Sequence, residues 1–244
     1  MSQLFQGRLG IQQRVLPNYR VPFFDLLAAS CEGGLSLFAG QPRPEEHIVP
    51  AVPRVAQLHP ARNRHILGGA AYLCHQSGVT AWLEGWNPDA LIVEANPRYI
   101  STPSAVRWMH ARGRPVIGWG LGAPALRGPL GAIKRIRRAS FLRQFDAMIA
   151  YSRRGAKEYA AAGVPDGKTF VAINSVSPRP ARRPDRLAPR DPATILFVGR
   201  LQRRKNVDLL VRAVAELPQP RPHLILVGDG PERMSLEALA AQVC

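Results

Sequence analysis

Short apolar runs alternate along nearly the whole chain with segments whose apolar residues recur at helical spacing. The runs predict strands at residues 8–13, 35–39, 65–71, 89–94, 115–119, 147–151 and 169–173, with helical patterns between them. Such alternation is the signature of βα units wound into parallel sheets. Local signals agree: Pro22 suits a first helical turn, Gly33-Gly34 ends that helix, and Thr102-Pro103 reads as a helix start.

The pattern breaks at residues 178–191, PRPARRPDRLAPRD, where four prolines and five arginines accompany one large apolar residue. Neither a core strand nor an amphipathic helix can form there. The expected organisation is therefore an N-terminal Rossmann-like domain over 1–177, a linker over 178–191 and a second domain beginning at 192. In that second part a strand at 194–198 precedes a helix with Val207, Leu210, Val211, Val214 and Leu217 at helical spacing. A second strand at 224–227 and a stripe of Leu236, Leu239 and Val243 follow. Two parallel strands leave their edges unpaired and one face thinly covered, so the domain over 192–244 is expected to be incomplete.

Composition narrows the class. Of 244 residues 46% are hydrophobic and 20% charged, which describes a folding sequence. The three cysteines, Cys31, Cys74 and Cys244, have no CxxC or Cys/His context, so neither a disulfide framework nor a zinc site is expected, and a reducing cytoplasm fits. The first twenty residues lack the apolar core of a signal peptide, and no run reaches the roughly 20 apolar residues of a membrane span. A net charge of +16 would attract nucleic acid, anionic lipid or a phosphate-rich substrate. It does not choose among them, and an arginine-rich codon bias explains it equally, since lysine occurs only at 134, 157, 168 and 205.

The densest chemistry lies in ILFVGRLQRRKNVDLLVRAVAEL and HLILVGDGPERMSLEALA. A strand ends at Gly199 and delivers Arg200 and Lys205 to a helix start, where two cations at the positive end of a helix dipole make a site for a diphosphate. Taken alone, the same residues read as a solvated basic helix entry. The turn Gly228-Asp229-Gly230 follows the next strand, at the end of the sheet where open α/β folds bind ligands. Together the two glycine turns are far more specific than either.

Those two segments resemble the opening of the donor domain in family-four, group 1 glycosyltransferases of the GT-B fold. QRVLPNYRVPFFDLLA at 13–28 and FDAMIAYSRRGAKEYAAAGVP at 145–165 extend the resemblance into the N-terminal part. The resemblance implies two Rossmann-like domains facing a cleft, and transfer of a sugar from a nucleotide-diphosphate sugar to a glycan or lipid-linked glycan with retention of configuration. Arg200 and Lys205 match the residues that hold the diphosphate in such enzymes, beside Gly199. No metal or other cofactor is expected, because two cations already neutralise the departing phosphate and no DxD triad is present. The family also carries a glutamate pair for sugar and ribose further along the donor domain. No such segment precedes Cys244, so a truncated chain that is inactive alone is expected.

On the acceptor side, Asn18, Tyr19 and Arg20 follow the first strand, Glu94 ends another, and Gly120 lies in WGLGAP, where many relatives place a histidine. All are candidates for acceptor contacts. Turn-forming and capping roles account for Asn18 to Arg20 and for Glu94 equally well. Residues 131–143, GAIKRIRRASFLR, are basic and partly amphipathic, suited either to covering the sheet or to peripheral contact with an anionic membrane at the inner face.

Rival classes lack their motifs. Specific nucleic-acid binding would need an RRM, KH or helix-turn-helix context. A dinucleotide oxidoreductase would need GxGxxG where GRLQRRKN stands. A non-catalytic acceptor- or anion-binding module remains the alternative to the transferase.

Overall fold

A computed structural model describes residues 4–126, 131–174, 181–182 and 192–243. The chain divides into two compact units, Met1–Pro178 and Arg179–Cys244. Apart from 181 and 182, the expected linker at 178–191 lies outside the described residues.

The first unit holds strands β1 (Leu9–Val15), β2 (Leu35–Gly40), β3 (Gln57–Ile66), β4 (Leu73–Ser77), β5 (Ala90–Glu94), β6 (Val116–Gly120), β7 (Ala147–Ala150) and β8 (Thr169–Val171). Helices α1 (Val21–Ala29), α2 (Val79–Trp86), α3 (Thr102–His110), α4 (Gly131–Arg143) and α5 (Arg153–Ala161) connect them. The strands form one sheet in the order β4-β3-β2-β1-β5-β6-β7-β8. Every pairing is parallel except β3 with β4.

Central strands are apolar on both faces because helices cover both. Leu91 and Val93 of β5 pack with Trp82, Leu83 and Met109 on one side, while Ala90 and Ile92 pack with Ile11, Phe24 and Leu37 on the other. Successive side chains of a strand point to opposite faces, so a continuous apolar run is what this burial requires. The strand order reverses between β1 and β5, which makes their carboxyl ends the crevice of the sheet. Asp25 of α1 ties down the segment after the β2 loop by accepting from the backbone N–H groups of Arg54, Val55 and Ala56 at 3.0, 2.8 and 3.1 Å.

One expected strand is corrected. Residues 65–71 do not form it: Ile66 ends β3, Leu67 takes a left-handed φ of 59°, and Gly69–Ala71 make a single 3-10 turn. The true elements are the antiparallel pair β3 and β4 at the sheet edge, with His65 opposite Cys74.

The second unit comprises β9 (Thr194–Val198), α6 (Val207–Ala215), β10 (His223–Val227) and α7 (Arg233–Val243). β9 and β10 are parallel, Thr194 opposite His223 and Val198 opposite Val227. Leu201, Val207, Val211, Leu236 and Leu239 form its core; of the expected stripe Val207, Val211 and Val214 are buried, whereas Leu217 lies beyond the end of α6 and is exposed.

Candidate functional site

In the second unit the loops leaving β9 and β10 are stitched backbone to backbone. The Gly199 N–H donates to the Val227 carbonyl at 3.0 Å, the Leu201 N–H to the Asp229 carbonyl at 2.9 Å, and the Glu232 N–H to the Leu201 carbonyl at 3.1 Å. The glycines of the GDG turn are dictated by this closeness. A Cβ on Gly228 would strike the carbonyl oxygen of Gly199, and one on Gly230 the carbonyl oxygen of Leu201. The exposed Asp229 accepts the Gly230 N–H at 2.8 Å through its carboxylate. The pair of glycine turns therefore builds one rigid platform at the carboxyl ends of two strands.

Arg200 sits half-buried on that platform, beside the buried Leu201. Lys205 closes a 3-10 turn over Arg203–Lys205, its N–H donating to the Gln202 carbonyl at 2.8 Å, and its side chain is exposed. Asn206 then takes φ 50° as the residue before α6, a left-handed position that asparagine tolerates. Among the described residues Arg200 and Lys205 have no carboxylate within salt-bridge distance. The structure thus gathers Gly199, Arg200, Gly228, Asp229 and Gly230 on the two joined loops and sets Lys205 at the mouth of α6. Two unpaired cations beside a helix N-terminus are suited to an anion.

In the first unit, Asn18–Arg20 form a 3-10 turn between β1 and α1, anchored where the Asn18 N–H donates to the Val49 carbonyl at 2.9 Å. Asn18 and Tyr19 are exposed, whereas the Arg20 guanidinium is held in an aromatic box. It lies 4.8 Å from the Trp119 ring centroid, 5.5 Å from Phe24 and 5.9 Å from both Phe23 and Tyr151, and donates to the Tyr151 hydroxyl at 3.3 Å. Trp119 belongs to β6 and Tyr151 follows β7, so Arg20 bridges the ends of three strands.

Glu94, at the end of β5, accepts the Arg14 backbone N–H at 2.7 Å. Burial pushes its carboxyl above the usual carboxylate range, and that hydrogen bond together with the charges of Arg14 and Arg20 opposes the rise. Arg20 and Glu94 thereby share the crevice between β1 and β5. At Gly120 an ideal Cβ would lie 2.5 Å from the Tyr159 hydroxyl, so its bare backbone makes room for α5.

The sequence reading passed over Arg14 and Glu46, which join at the same end of the sheet. Their guanidinium and carboxylate make two parallel hydrogen bonds of 2.8 and 2.9 Å. The Arg14 carbonyl accepts from Asn63, which is linked through Gln76 to Gln12 and Ser101. The available signal was QQR inside an otherwise apolar first strand, since buried polar side chains must be partnered. His110, expected at the surface, pairs with Asp146 at 2.9 Å on the outside of the sheet. On α4, Leu142 is buried in the core with Phe141 packed against it, while Ile133 and Ile136 are 57% and 67% exposed.

Comparison with known proteins gives the following. Residues 178–243 match the family model described as Glycosyl transferases group 1. A comparison with curated proteins finds no match. Over 97% of its length the chain superimposes on 65% of the lipopolysaccharide outer core galactosyltransferase WaaB, with TM-score 0.54 and 15% identity. Over 98% it superimposes on 66% of HepE from Anabaena in complex with UDP-glucose, with TM-score 0.57 and 14% identity. A Listeria monocytogenes protein named as a UDP-N-acetylglucosamine 2-epimerase is as similar, with TM-score 0.55 and 12% identity over 98% of this chain and 67% of its own. The chain has the GT-B fold and spans about two thirds of the length of these structures. Fold alone does not separate transferase from epimerase. No helix among the described residues is long and apolar enough to cross a membrane.

Proposed function

We propose that this chain, whose residues 178–243 match the group 1 glycosyl transferase model, serves transfer of a sugar from a nucleotide-diphosphate sugar to a glycan or lipid-linked acceptor. The observation that carries the reading is the platform of joined glycine turns with two cations that have no carboxylate partner among the described residues. Arg200 and Lys205 hold the diphosphate, and as the sugar–phosphate bond breaks they stabilise the charge gathering on the leaving oxygen. Their fixed positive charge takes the place a metal would fill, so chelation should leave nucleotide binding unchanged. Complexes of HepE with UDP and UDP-glucose favour a uridine nucleotide as donor.

The acceptor engages the crevice between β1 and β5, where Arg20 offers a pre-organised cation and Glu94 a hydrogen-bond acceptor. Retention of configuration is taken from the family resemblance. The uncovered Ile133 and Ile136 among the cations of α4 fit peripheral contact with an anionic membrane. The buried free thiols Cys31 and Cys74 fit a reducing compartment.

The platform of the second unit is expected to bind nucleotide diphosphate. Titration of the 244-residue protein with UDP tests this, and absence of binding contradicts it.

A further inference from the structure

Between α4, α5 and the loop leaving β6 lies a cavity of about 580 Å3. This is within the range of roughly 300–1,000 Å3 typical of small-molecule sites. Its apolar floor includes Ala123, Ala139 and Ala162, and the cations Arg135, Arg138, Arg154 and Lys157 also line it, at the rim. Two rim cations are engaged: Arg138 donates to the Pro124 carbonyl, and Arg154 pairs with Glu158 at 3.1 Å. Arg135 and Lys157 have no carboxylate partner among the described residues.

The lining contains no aromatic ring, hydroxyl or carboxamide. It thus offers a nucleobase no aromatic face and a sugar no neutral side-chain donor or acceptor. An aliphatic chain gains by leaving water for such a floor, and an anionic head gains from two unpaired cations at the mouth. We propose that this cavity binds a single amphiphile consisting of an aliphatic chain and a phosphate head. The cavity lies wholly within the first unit and uses neither Arg200 nor Lys205, so loss of diphosphate binding leaves the proposal standing and the reverse also holds.

Titration calorimetry of the 244-residue protein below the micellar range tests it, with dodecyl phosphate, dodecyl maltoside and inorganic phosphate as probes. Dodecyl phosphate should bind about tenfold more tightly than either of the others, because only it satisfies floor and rim together. The exposed double variant Arg135→Glu/Lys157→Glu should weaken dodecyl phosphate about tenfold and leave dodecyl maltoside unchanged. Ala139→Phe, which fills the floor, should abolish binding of both dodecyl compounds with an unaltered circular dichroism spectrum. Equal affinity for all three probes overturns the proposal, as does undiminished dodecyl phosphate binding by the charge-reversed variant, which stays decisive if the filled variant misfolds.

Discussion

Arg14 and Glu46 are locked by two parallel hydrogen bonds, Nη1 to Oε2 at 2.8 Å and Nη2 to Oε1 at 2.9 Å, with both side chains largely withdrawn from water. Burial would raise the Glu46 carboxyl, yet Arg14 and the Arg43 backbone N–H outweigh it and hold the group below the usual range. Removing one partner of such a pair strands the other charge. Arg14→Ala is expected to lose about 2–4 kcal/mol in urea unfolding followed by tryptophan fluorescence. Arg14→Lys should recover only part, since an ammonium cannot make the two-point contact.

Glu94 gives the opposite pH dependence. Its folded-state pKa is raised, so its contribution is most favourable below the unfolded carboxylate pKa and declines as pH rises through the folded value. Glu94→Gln keeps an oxygen for the Arg14 N–H and removes the buried charge. Its melting temperature should equal or exceed that of the parent at pH 8, with the advantage gone at pH 4. Thermal scans at the two pH values check this.

Asp25 behaves in the other direction. Burial raises its carboxyl, but the N–H groups of Val55, Arg54 and Ala56 outweigh this and lower it. Its contribution is present above the unfolded carboxylate pKa and lost as pH falls through the folded one. Asp25→Ala should cost about 0.5–1.5 kcal/mol at pH 7, since the exposed N–H groups of Arg54 and Val55 can turn to water, and much less near pH 3. Chemical denaturation at both pH values measures the difference.

How far the sequence foretold these features follows from their range. Strands β5 and β6 announce themselves because burial on both faces demands unbroken apolar runs such as ALIVE. The pair β3 and β4 stayed hidden because QLHPARNRHI is exposed along most of its length and carries no apolar run, while the more apolar stretch after it bends at Leu67. The glycine turns and their cations were legible as a local motif, but their mutual packing was not. Nor does local pattern join Arg14 to Glu46, or Arg20 to Trp119 and Tyr151, because each pairing is made only when the sheet assembles.

The joined turns make a sharp steric prediction. Gly230→Ala forces a methyl group onto the Leu201 carbonyl, and so should unlock the Leu201 to Asp229 hydrogen bond while leaving the first unit intact. Hydrogen exchange should show protection lost in β9, β10 and α6 and kept in β1 and β5. An exchange pattern identical to the parent would show that the two loops are not coupled.

The central claim is that Arg200 and Lys205 bind a nucleotide's diphosphate. Titration calorimetry of UDP and UMP against the parent protein, Arg200→Ala and Lys205→Ala, with and without EDTA, tests it most directly. The account predicts that the parent prefers UDP to UMP, that each variant loses about tenfold toward UDP with little change toward UMP, and that EDTA has no effect. Equal affinity of both variants and the parent for UDP would contradict it.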